Sequence, residues 1–377
     1  MRRVLMVMTA MLLAALAPLL GQPESVGAAT VTVCASGCAY ADIQTAIDNA
    51  LPGDQVLIGS GTYTLTSEIT DPAKSLSLTG SGTASTILAA ANGSTNILEA
   101  GQSGALNLTV ANLTLQGGHD GIVFHSGNLT ATNVSFADGQ HGGVTDAGGS
   151  VTIAQSTMTP TGSFPSAGVW DNAGSVTISN SSLTASQSVA YGMQVAGGAS
   201  ATVIDSTITG FSYSVVNYGT LTVLGSTFSG SGYGAFNNSN AAVSTFVNDT
   251  VTNDTYHGLY MPHGTLIADN DTVTHNGYFG ILANGDPSTN HVTLNNTLDA
   301  LNGDDCWITG LVSGSNNLIG KSSSCSVQNG VNGNKVGSGS SPINPMLASL
   351  QNNHGPTQTY GLLPGSPALD AGNDAVC

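Results

Sequence analysis

Two aspartates in neighbouring repeats have the residue type and spacing needed to cleave a neutral glycan. Asp249 and Asp271 each occupy the sixth position of an eight-residue pattern of alternating apolar and polar residues that recurs along the chain. If the repeats are coils of a β-solenoid, equivalent residues lie about 4.8 Å apart, and a glycosidase needs two carboxyl groups separated by about 5 Å or by roughly 6.5–9.5 Å. The spacing makes Asp249 and Asp271 candidate catalytic residues. The alternative is that they replace Ser or Asn in a solvated ladder and have no catalytic role.

A second group of residues could bind sugar rings. An aromatic residue or histidine precedes a short second strand in five successive repeats, at Tyr191, Tyr213, Tyr233, His257 and Phe279. On and after the same strands, the candidate ligand-binding residues are Trp170, Phe236, Tyr260, Asp146 and Asp171. An exposed aromatic row with nearby carboxylates would suit a neutral glycan, whereas a packed row would be purely structural.

The charge balance argues against several functions. The 377 residues include five Lys or Arg and 22 Asp or Glu, which gives a formal net charge of −17. A nucleic-acid binder needs a basic surface for the phosphates, and this composition does not supply one. Lyases that act on uronates need a cation and a base, yet the two arginines, Arg2 and Arg3, lie in the N-terminal leader. Cleavage of anionic pectin is therefore disfavoured.

The sequence contains no recognisable cofactor motif. CxxC and His-rich spacings typical of zinc sites are absent. Calcium-binding repeats of the GGxGxD kind are absent as well. We therefore expect no metal site and no cofactor. Binding of Ca²⁺ is left open, although no motif in the sequence supports it.

A repeat of about 23 residues must position these side chains. Octets with the shared pattern begin at Leu108, Leu129, Val151, Val176, Ala201, Leu221, Ser244 and Leu266. Each contains a strand-like alternation and is followed, after a glycine, by a second short strand, with no helical pattern between them. The unit is too short for a propeller blade and fits one turn of a right-handed parallel β-helix. The sequence predicts an all-β solenoid of about 11 or 12 coils, in which the Asn-rich fifth octet positions and the Thr-rich second positions form ladders.

Four segments are predicted along the chain. Residues 1–29 are typical of a signal peptide, and residues 30–55 form an N-terminal cap. Within this cap, Ile43, Ala46, Ile47, Ala50 and Leu51 have the spacing of a short amphipathic helix. Residues 56–320 form the β-helix, and 321–377 an irregular and apparently incomplete tail. We expect contact with a membrane only through an uncleaved or missing anchor.

Five cysteines fit an exported protein. Cys34 and Cys38 lie four residues apart, and Cys306 and Cys325 lie nineteen apart, so two local disulfides are predicted in an oxidising compartment. Free thiols or a metal site are the alternatives. Cys377 has no predicted partner within the sequence.

Three segments carry a family resemblance. The opening CAYADIQTAIDNALPGDQVLIGSGTYTL and the following KSLSLTGSGTASTIL resemble the entry of pectin-lyase-like right-handed β-helix proteins. The tail INPMLASLQNNHGPTQTYGLLPGSPALDAGNDAVC, with NNLIG upstream, is similar to the end of secreted bacterial choice-of-anchor Q domain proteins. The resemblance implies a secreted or cell-surface bacterial β-helix, in a superfamily that includes polysaccharide lyases and glycosidases. Of the motifs of polygalacturonase-like enzymes, only a D-D pair at Asp304 and Asp305 is matched.

Two functions are predicted from these observations. The first is a non-catalytic protein, secreted or on the cell surface, that binds an extracellular glycan or acts as an adhesive or structural rod. The alternative is a glycoside hydrolase or polysaccharide lyase acting on an extracellular polysaccharide. The position of the carboxylates decides between them, since a groove with two carboxylates beside aromatic residues favours the enzyme.

Overall fold

A computed structural model describes residues 28–71, 74–162, 165–186 and 189–376. The predicted signal peptide lies almost wholly outside these residues, and so does Cys377. Within these ranges, the regular structure consists of β-strands and one helix, Ile43–Asn49. None of the helical structure in the described ranges has the length and hydrophobicity that a membrane crossing requires.

The strands form a right-handed parallel β-helix of about 12 turns, as predicted. Each coil contributes one strand to each of three parallel sheets that run along the axis. Sheet 1 carries the octets, and its strands are Thr30–Val33, Gln55–Ile58, Leu76–Gly80, the first halves of Leu106–Gln116 and Gly127–Ala137, Ser150–Ala154, Ser175–Ser179, Ser200–Ile204, Thr220–Leu224, Val243–Val247, Thr265–Asp269, His291–Asn295 and Leu311–Ser315.

Sheets 2 and 3 complete each coil. Sheet 2 consists of Gly61–Leu65, Thr86–Ala90, the second halves of Leu106–Gln116 and Gly127–Ala137, Thr157–Thr159, Ser182–Thr184, Thr207–Thr209, Thr227–Ser229, Thr250–Thr252, Thr272–Thr274, Leu298–Ala300, Leu318–Ser324 and Lys335–Ser338. Sheet 3 consists of Ile69–Thr70, Leu98–Ala100, Asp120–Phe124, Gly142–Asp146, Ala167–Asp171, Tyr191–Val195, Tyr213–Asn217, Tyr233–Asn237, Leu259–Tyr260, Phe279–Ala283 and Asp304–Ile308.

The corner between sheets 1 and 2 explains the fifth octet position. Asn112, Asn133, Asn248 and Asn270 have φ angles of 56°, 52°, 58° and 63°. Asparagine tolerates this left-handed region better than most residues, so it turns the chain without a glycine. Asn133 Nδ2 also donates to Asn112 Oδ1 at 2.8 Å, which confirms the predicted side-chain ladder at this pair. The threonines of the second octet position are in register across coils, as at Thr130, Thr152 and Thr177.

The N-terminal helix covers the first coil. Asp42 caps it by accepting a hydrogen bond from the Thr45 backbone N–H at 2.8 Å. Ile43, Ala46, Ile47 and Ala50 are buried as predicted, but Leu51 is 61% exposed because the helix ends at Asn49 and the chain then turns outward. Lys74 Nζ donates to the carbonyls of Ile47, Asp48 and Ala50 at 2.7–3.1 Å, and so neutralises the negative end of the helix.

The segment after residue 320 is more regular than predicted. Leu318–Ser324 and Lys335–Ser338 continue the parallel ladder, and Leu347–Asn352 pairs with Gln358–Leu362 in an antiparallel hairpin. The hairpin folds back along the solenoid: Thr227 Oγ1 donates to the Gln358 carbonyl at 2.8 Å. The Ser-, Asn- and Gly-rich composition of this segment predicted an irregular tail. The hairpin depends on contacts with distant coils, which local composition does not show.

Both predicted disulfides are present. Cys34 is bonded to Cys38, and Cys306 to Cys325. Cys306 is fully buried in sheet 3, so the second disulfide ties the last coil to the chain that leaves it.

Candidate functional site

The predicted catalytic pair lies inside the solenoid wall. Asp249 and Asp271 are 3% and 2% exposed. Asp249 Oδ1 accepts from the Ser226 N–H at 2.6 Å, and Asp271 Oδ1 accepts from the Asp249 N–H at 2.8 Å. Both aspartates continue an inward ladder that serine forms in earlier coils at Ser156, Ser181, Ser206 and Ser226. Their burial corrects the expectation of an accessible pair. Both carboxyl groups accept hydrogen bonds from backbone N–H groups at the corner between sheets 1 and 2.

Asp146 and Asp171 also face inward, in contrast to the predicted position beside a ligand. They are neighbours in register on sheet 3, and both are fully buried. Asp146 Oδ1 accepts from the Gly148 and Gly149 N–H groups, while neither Asp171 oxygen has a hydrogen-bond partner among the described residues. Burial, followed by the nearby Asp146 charge, raises the pKa of Asp171 to about 7. Asp171 therefore cannot contact a ligand on the outer surface.

Aromatic rings and histidines form a continuous row on the outer face of sheet 3. Ring centroids 4.5–5.9 Å apart connect neighbouring members. The row spans nine strands, about 38 Å at the rise of a parallel sheet. We call it the aromatic strip; its members are His119, His141, Trp170, Tyr191, Tyr213, Tyr233, Phe236, Tyr256, His257, Tyr260, Tyr278, Phe279 and Trp307.

Most ring faces in the aromatic strip cover one another. Tyr213 stacks on Tyr233 at 4.6 Å and 6°, and Phe236 stacks on Tyr260 at 5.0 Å and 8°. These rings present their edges to solvent. Burial raises the pKa of Tyr213 and Tyr233, so their hydroxyl groups remain hydrogen-bond donors at neutral pH.

Trp170 is closed off more completely. It is 8% exposed, stacks on His141 at 5.0 Å and meets Tyr191 edge to face. Its Nε1 donates to the His141 carbonyl. The sequence placed Trp170 on the correct strand but could not show that neighbouring rings cover its faces.

Open aromatic surface occurs at the C-terminal end of the strip. Tyr256, Tyr278 and Trp307 are 44%, 58% and 39% exposed. Tyr256 and Tyr278 lie side by side at 5.9 Å, outside the inner rings of Tyr233 and His257. None of the three exposed rings belongs to the predicted row, although Tyr256 and Tyr278 each directly precede a member of it.

A carboxylate pair lies at the N-terminal end of the same face. Glu99 is in register with Val123 and two coils from Thr145, and Glu68 directly precedes the neighbouring strand Ile69–Thr70. The charge of Glu99 acts on the Glu68 carboxyl group, so the two side chains interact electrostatically. His125 Nε2 lies 2.7 Å from Glu99 Oε1.

The two glutamates differ in proton affinity. Burial raises the pKa of Glu68, and the Glu99 charge adds to this. Burial also acts to raise the pKa of Glu99, but hydrogen bonds from His125 and Gln102 outweigh it and lower the value. Carboxyl groups whose pKa values are separated in this way can act as an acid and a base. The sequence feature that could have pointed to this pair is the rarity of glutamate, since the chain has three, at positions 24, 68 and 99.

Of the comparisons with known proteins, those with solved structures support the fold. No protein-family profile and no curated protein matches the sequence. Among solved structures, ORF18 of Geobacillus virus E2 is similar with a TM-score of 0.50 and 15% identity over 73% of this chain; the similarity covers 55% of the viral protein. An alginate lyase from Paenibacillus sp. str. FPU-7 gives a TM-score of 0.50 and 16% identity, over 76% of this chain and 98% of the lyase. A pectate lyase, Pel9A, gives 0.49 and 15% over 92% of both chains.

The coil geometry and these similarities define the chain as a right-handed parallel β-helix protein. It has the pectin-lyase-like form of this fold, which confirms that part of the resemblance seen in the sequence. At 15–16% identity, the similarity to ORF18 and the alginate lyase extends to the fold alone.

Proposed function

We propose that the protein binds an extracellular polysaccharide along the outer face of sheet 3. The observation that carries this proposal is the aromatic strip, which follows the solenoid axis for about 38 Å. The tyrosine edges offer hydroxyl groups to a polyhydroxylated chain, and the exposed rings of Tyr256, Tyr278 and Trp307 offer apolar surface to sugar rings. One solved structure of similar fold is named an alginate lyase, and a polysaccharide substrate of that protein is consistent with such a ligand here.

Removal of the exposed tyrosines is expected to weaken glycan binding. Tyr256→Ala combined with Tyr278→Ala should lower the affinity about tenfold or more, corresponding to ~1.4 kcal/mol, because both side chains are exposed and are not required by the core. Binding is measured by isothermal titration calorimetry against a panel of neutral and uronate-containing polysaccharides. Leu51→Ala is the matched control, since Leu51 is 61% exposed on the N-terminal cap, away from sheet 3. Equal affinity of the double variant and the wild type, or no binding by the wild type to any member of the panel, would contradict the proposal.

A second candidate function is hydrolysis of the bound polysaccharide. The observation that favours it is the Glu68–Glu99 pair, which has pKa values displaced in opposite directions and lies on the face that carries the strip. In this proposal Glu68 is the general acid and Glu99 the nucleophile. A carboxylate nucleophile forms a covalent glycosyl-enzyme intermediate, so retention of configuration is expected.

Loss of the Glu99 carboxylate is expected to abolish hydrolysis. Glu99→Gln should reduce the rate by about 10² or more, and Glu68→Gln by a similar factor with substrates that need leaving-group protonation. Asp138→Asn, at an exposed position, is the control and should keep full activity. Reducing-end release and the anomeric configuration of the first product, followed by NMR, are the measurements. Unchanged activity in Glu99→Gln, or an inverted product, would exclude this assignment, and glycan binding without product release would leave the first proposal standing alone.

We also propose that the protein acts outside the cell, as a secreted or cell-surface protein of the choice-of-anchor Q type. The disulfides Cys34–Cys38 and Cys306–Cys325 support an oxidising compartment. The predicted signal peptide and the resemblance of the tail support the same location. Fractionation of the native host, with mass spectrometry of the mature N-terminus, tests this proposal.

A further inference from the structure

Two histidines and an aspartate meet at the N-terminal end of the aromatic strip. His119 immediately precedes the strand Asp120–Phe124, and His141 immediately precedes the next strand, Gly142–Asp146. The coil repeat therefore places the two imidazoles one above the other, with ring centroids 4.5 Å apart and planes at 15°. The carboxyl group of Asp120 lies between their Nδ1 atoms. His119 Nδ1 is 2.9 Å from Asp120 Oδ2, and His141 Nδ1 is 3.0 Å from Asp120 Oδ1.

We infer that His119, Asp120 and His141 form a binding site for one divalent transition-metal ion of the Zn²⁺ class. Imidazole nitrogen and carboxylate oxygen are ligands that Zn²⁺ prefers, at about 2.0–2.2 Å. Two such ligands on one ion are separated by about 2.9–3.4 Å for angles between 90° and tetrahedral. The two histidine–aspartate separations already have this value, at 2.9 and 3.0 Å.

One movement is required to complete the set. The three ligand atoms lie within 4.8 Å of one another, so the imidazole nitrogens must approach each other to share an ion. The His119 side chain is 47% exposed and can turn toward the carboxylate, whereas the Asp120 side chain, 5% exposed, is held in place. The ion then enters from the solvent side.

Neighbouring groups hold the other two ligands in position. Thr145 Oγ1 donates to Asp120 Oδ1 at 3.1 Å, which orients the carboxylate. Trp170 stacks on the His141 ring and donates from Nε1 to the His141 carbonyl at 3.2 Å. Outer contacts of this kind fix ligand orientation in metal sites. Three protein ligands with one side open to solvent leave a coordination position for water or for an oxygen of a bound ligand.

The charge of the chain favours such an ion. The net charge of −17 attracts cations to the surface. A divalent ion bound by one carboxylate and two neutral imidazoles gives a local charge of +1. This charge would lie at the end of the aromatic strip, whose members include no lysine or arginine. This inference goes beyond the proposed function, and its readout needs no glycan.

Zinc titration of the tag-free chain tests the site. The protein is stripped with EDTA, dialysed into metal-free buffer and titrated with ZnCl₂ by calorimetry, with metal content after dialysis measured by mass spectrometry. We expect one Zn²⁺ per chain and little response to CaCl₂, because imidazole is a poor ligand for Ca²⁺. His119→Gln with His141→Gln should weaken binding at least 100-fold, and His291→Gln, an exposed histidine on sheet 1, should leave it unchanged.

Two outcomes would overturn the inference: a wild-type chain that retains no zinc, or a double variant that binds zinc as the wild type does. If the double variant fails to fold by circular dichroism, His119→Gln alone decides, because the His119 side chain is half exposed. That single variant should bind zinc at least tenfold more weakly than the wild type. Equal binding would contradict the site.

Discussion

The protein is expected to be less stable at pH 8 than at pH 5, by several kcal/mol in the free energy of unfolding. Burial is the cause, because it raises the pKa of carboxyl groups inside the solenoid wall. The pKa of Asp171 is raised to about 7, and burial also raises the pKa values of Asp146, Asp249, Asp254, Asp271 and Asp299. One or both oxygens of Asp146, Asp171, Asp254, Asp271 and Asp299 lack a hydrogen-bond partner in the described part of the chain.

The direction follows from proton linkage. Between about pH 4 and the raised folded-state pKa, the folded chain holds protons that the unfolded chain has released. Stability from these groups is therefore fully present below the unfolded-state pKa and is lost as the pH rises, by up to about 1.4 kcal/mol per pH unit for each group. Urea unfolding at pH 5, 6, 7 and 8, followed by tryptophan fluorescence, measures the slope.

Asp171→Asn isolates one group. The amide cannot ionise, and asparagines at 217 and 237 already occupy the same column of sheet 3. The variant should be more stable than the wild type at pH 8, and its stability should fall less steeply between pH 5 and 7. Asp138→Asn, an exposed position, should keep the wild-type slope. Stability that is flat or rises between pH 5 and 8 would show that the buried carboxyl groups are not protonated in the folded chain.

Gly127→Ala is expected to destabilise the protein by about 4 kcal/mol, an effect outside the usual range for a single methyl group. Gly127 has a φ of 98°, and a Cβ atom there would lie 2.0 Å from the carbonyl oxygen of Leu106. Leu106 is its partner in the preceding coil. The clash is with backbone, so no side-chain rotation relieves it, and the 4.8 Å spacing between coils would have to open locally.

Gly198→Ala is the matched control. Gly198 has a φ of 89°, close to that of Gly127, but a Cβ atom there meets nothing within 4 Å. Its substitution should cost only the left-handed backbone penalty of about 1–2 kcal/mol. Thermal and urea unfolding of both variants measure the difference. Equal destabilisation would mean that backbone strain, and not contact between coils, sets the cost at Gly127.

The repeat pattern was sufficient to predict the class of fold. A 23-residue spacing of alternating octets predicts stacked coils, and stacking by itself aligns equivalent residues, so the Thr ladder and the Asn112–Asn133 pair could be predicted. The short cap helix and both disulfides followed from local spacing. Features that depend on one or two neighbouring repeats were within reach because their geometry is set by the repeat length.

Which side of the wall a residue faces was decided by the tertiary structure. Strand alternation holds only within a strand, and a left-handed residue at the corner resets it. Asn248 and Asn270, with φ angles of 58° and 63°, direct the following Asp249 and Asp271 inward, where solvated positions were expected.

The candidate site could not be predicted from the sequence for the same reason. Glu68 and Glu99 lie 31 residues apart, which does not match the average repeat, and only the register of Thr70 with Glu99 brings them together. Trp170 fits a sugar platform by residue type, yet His141 and Tyr191 cover it. The repeat thus specifies which residues stack, whereas the turn conformations and the packing of neighbouring rings decide which of them a ligand can reach.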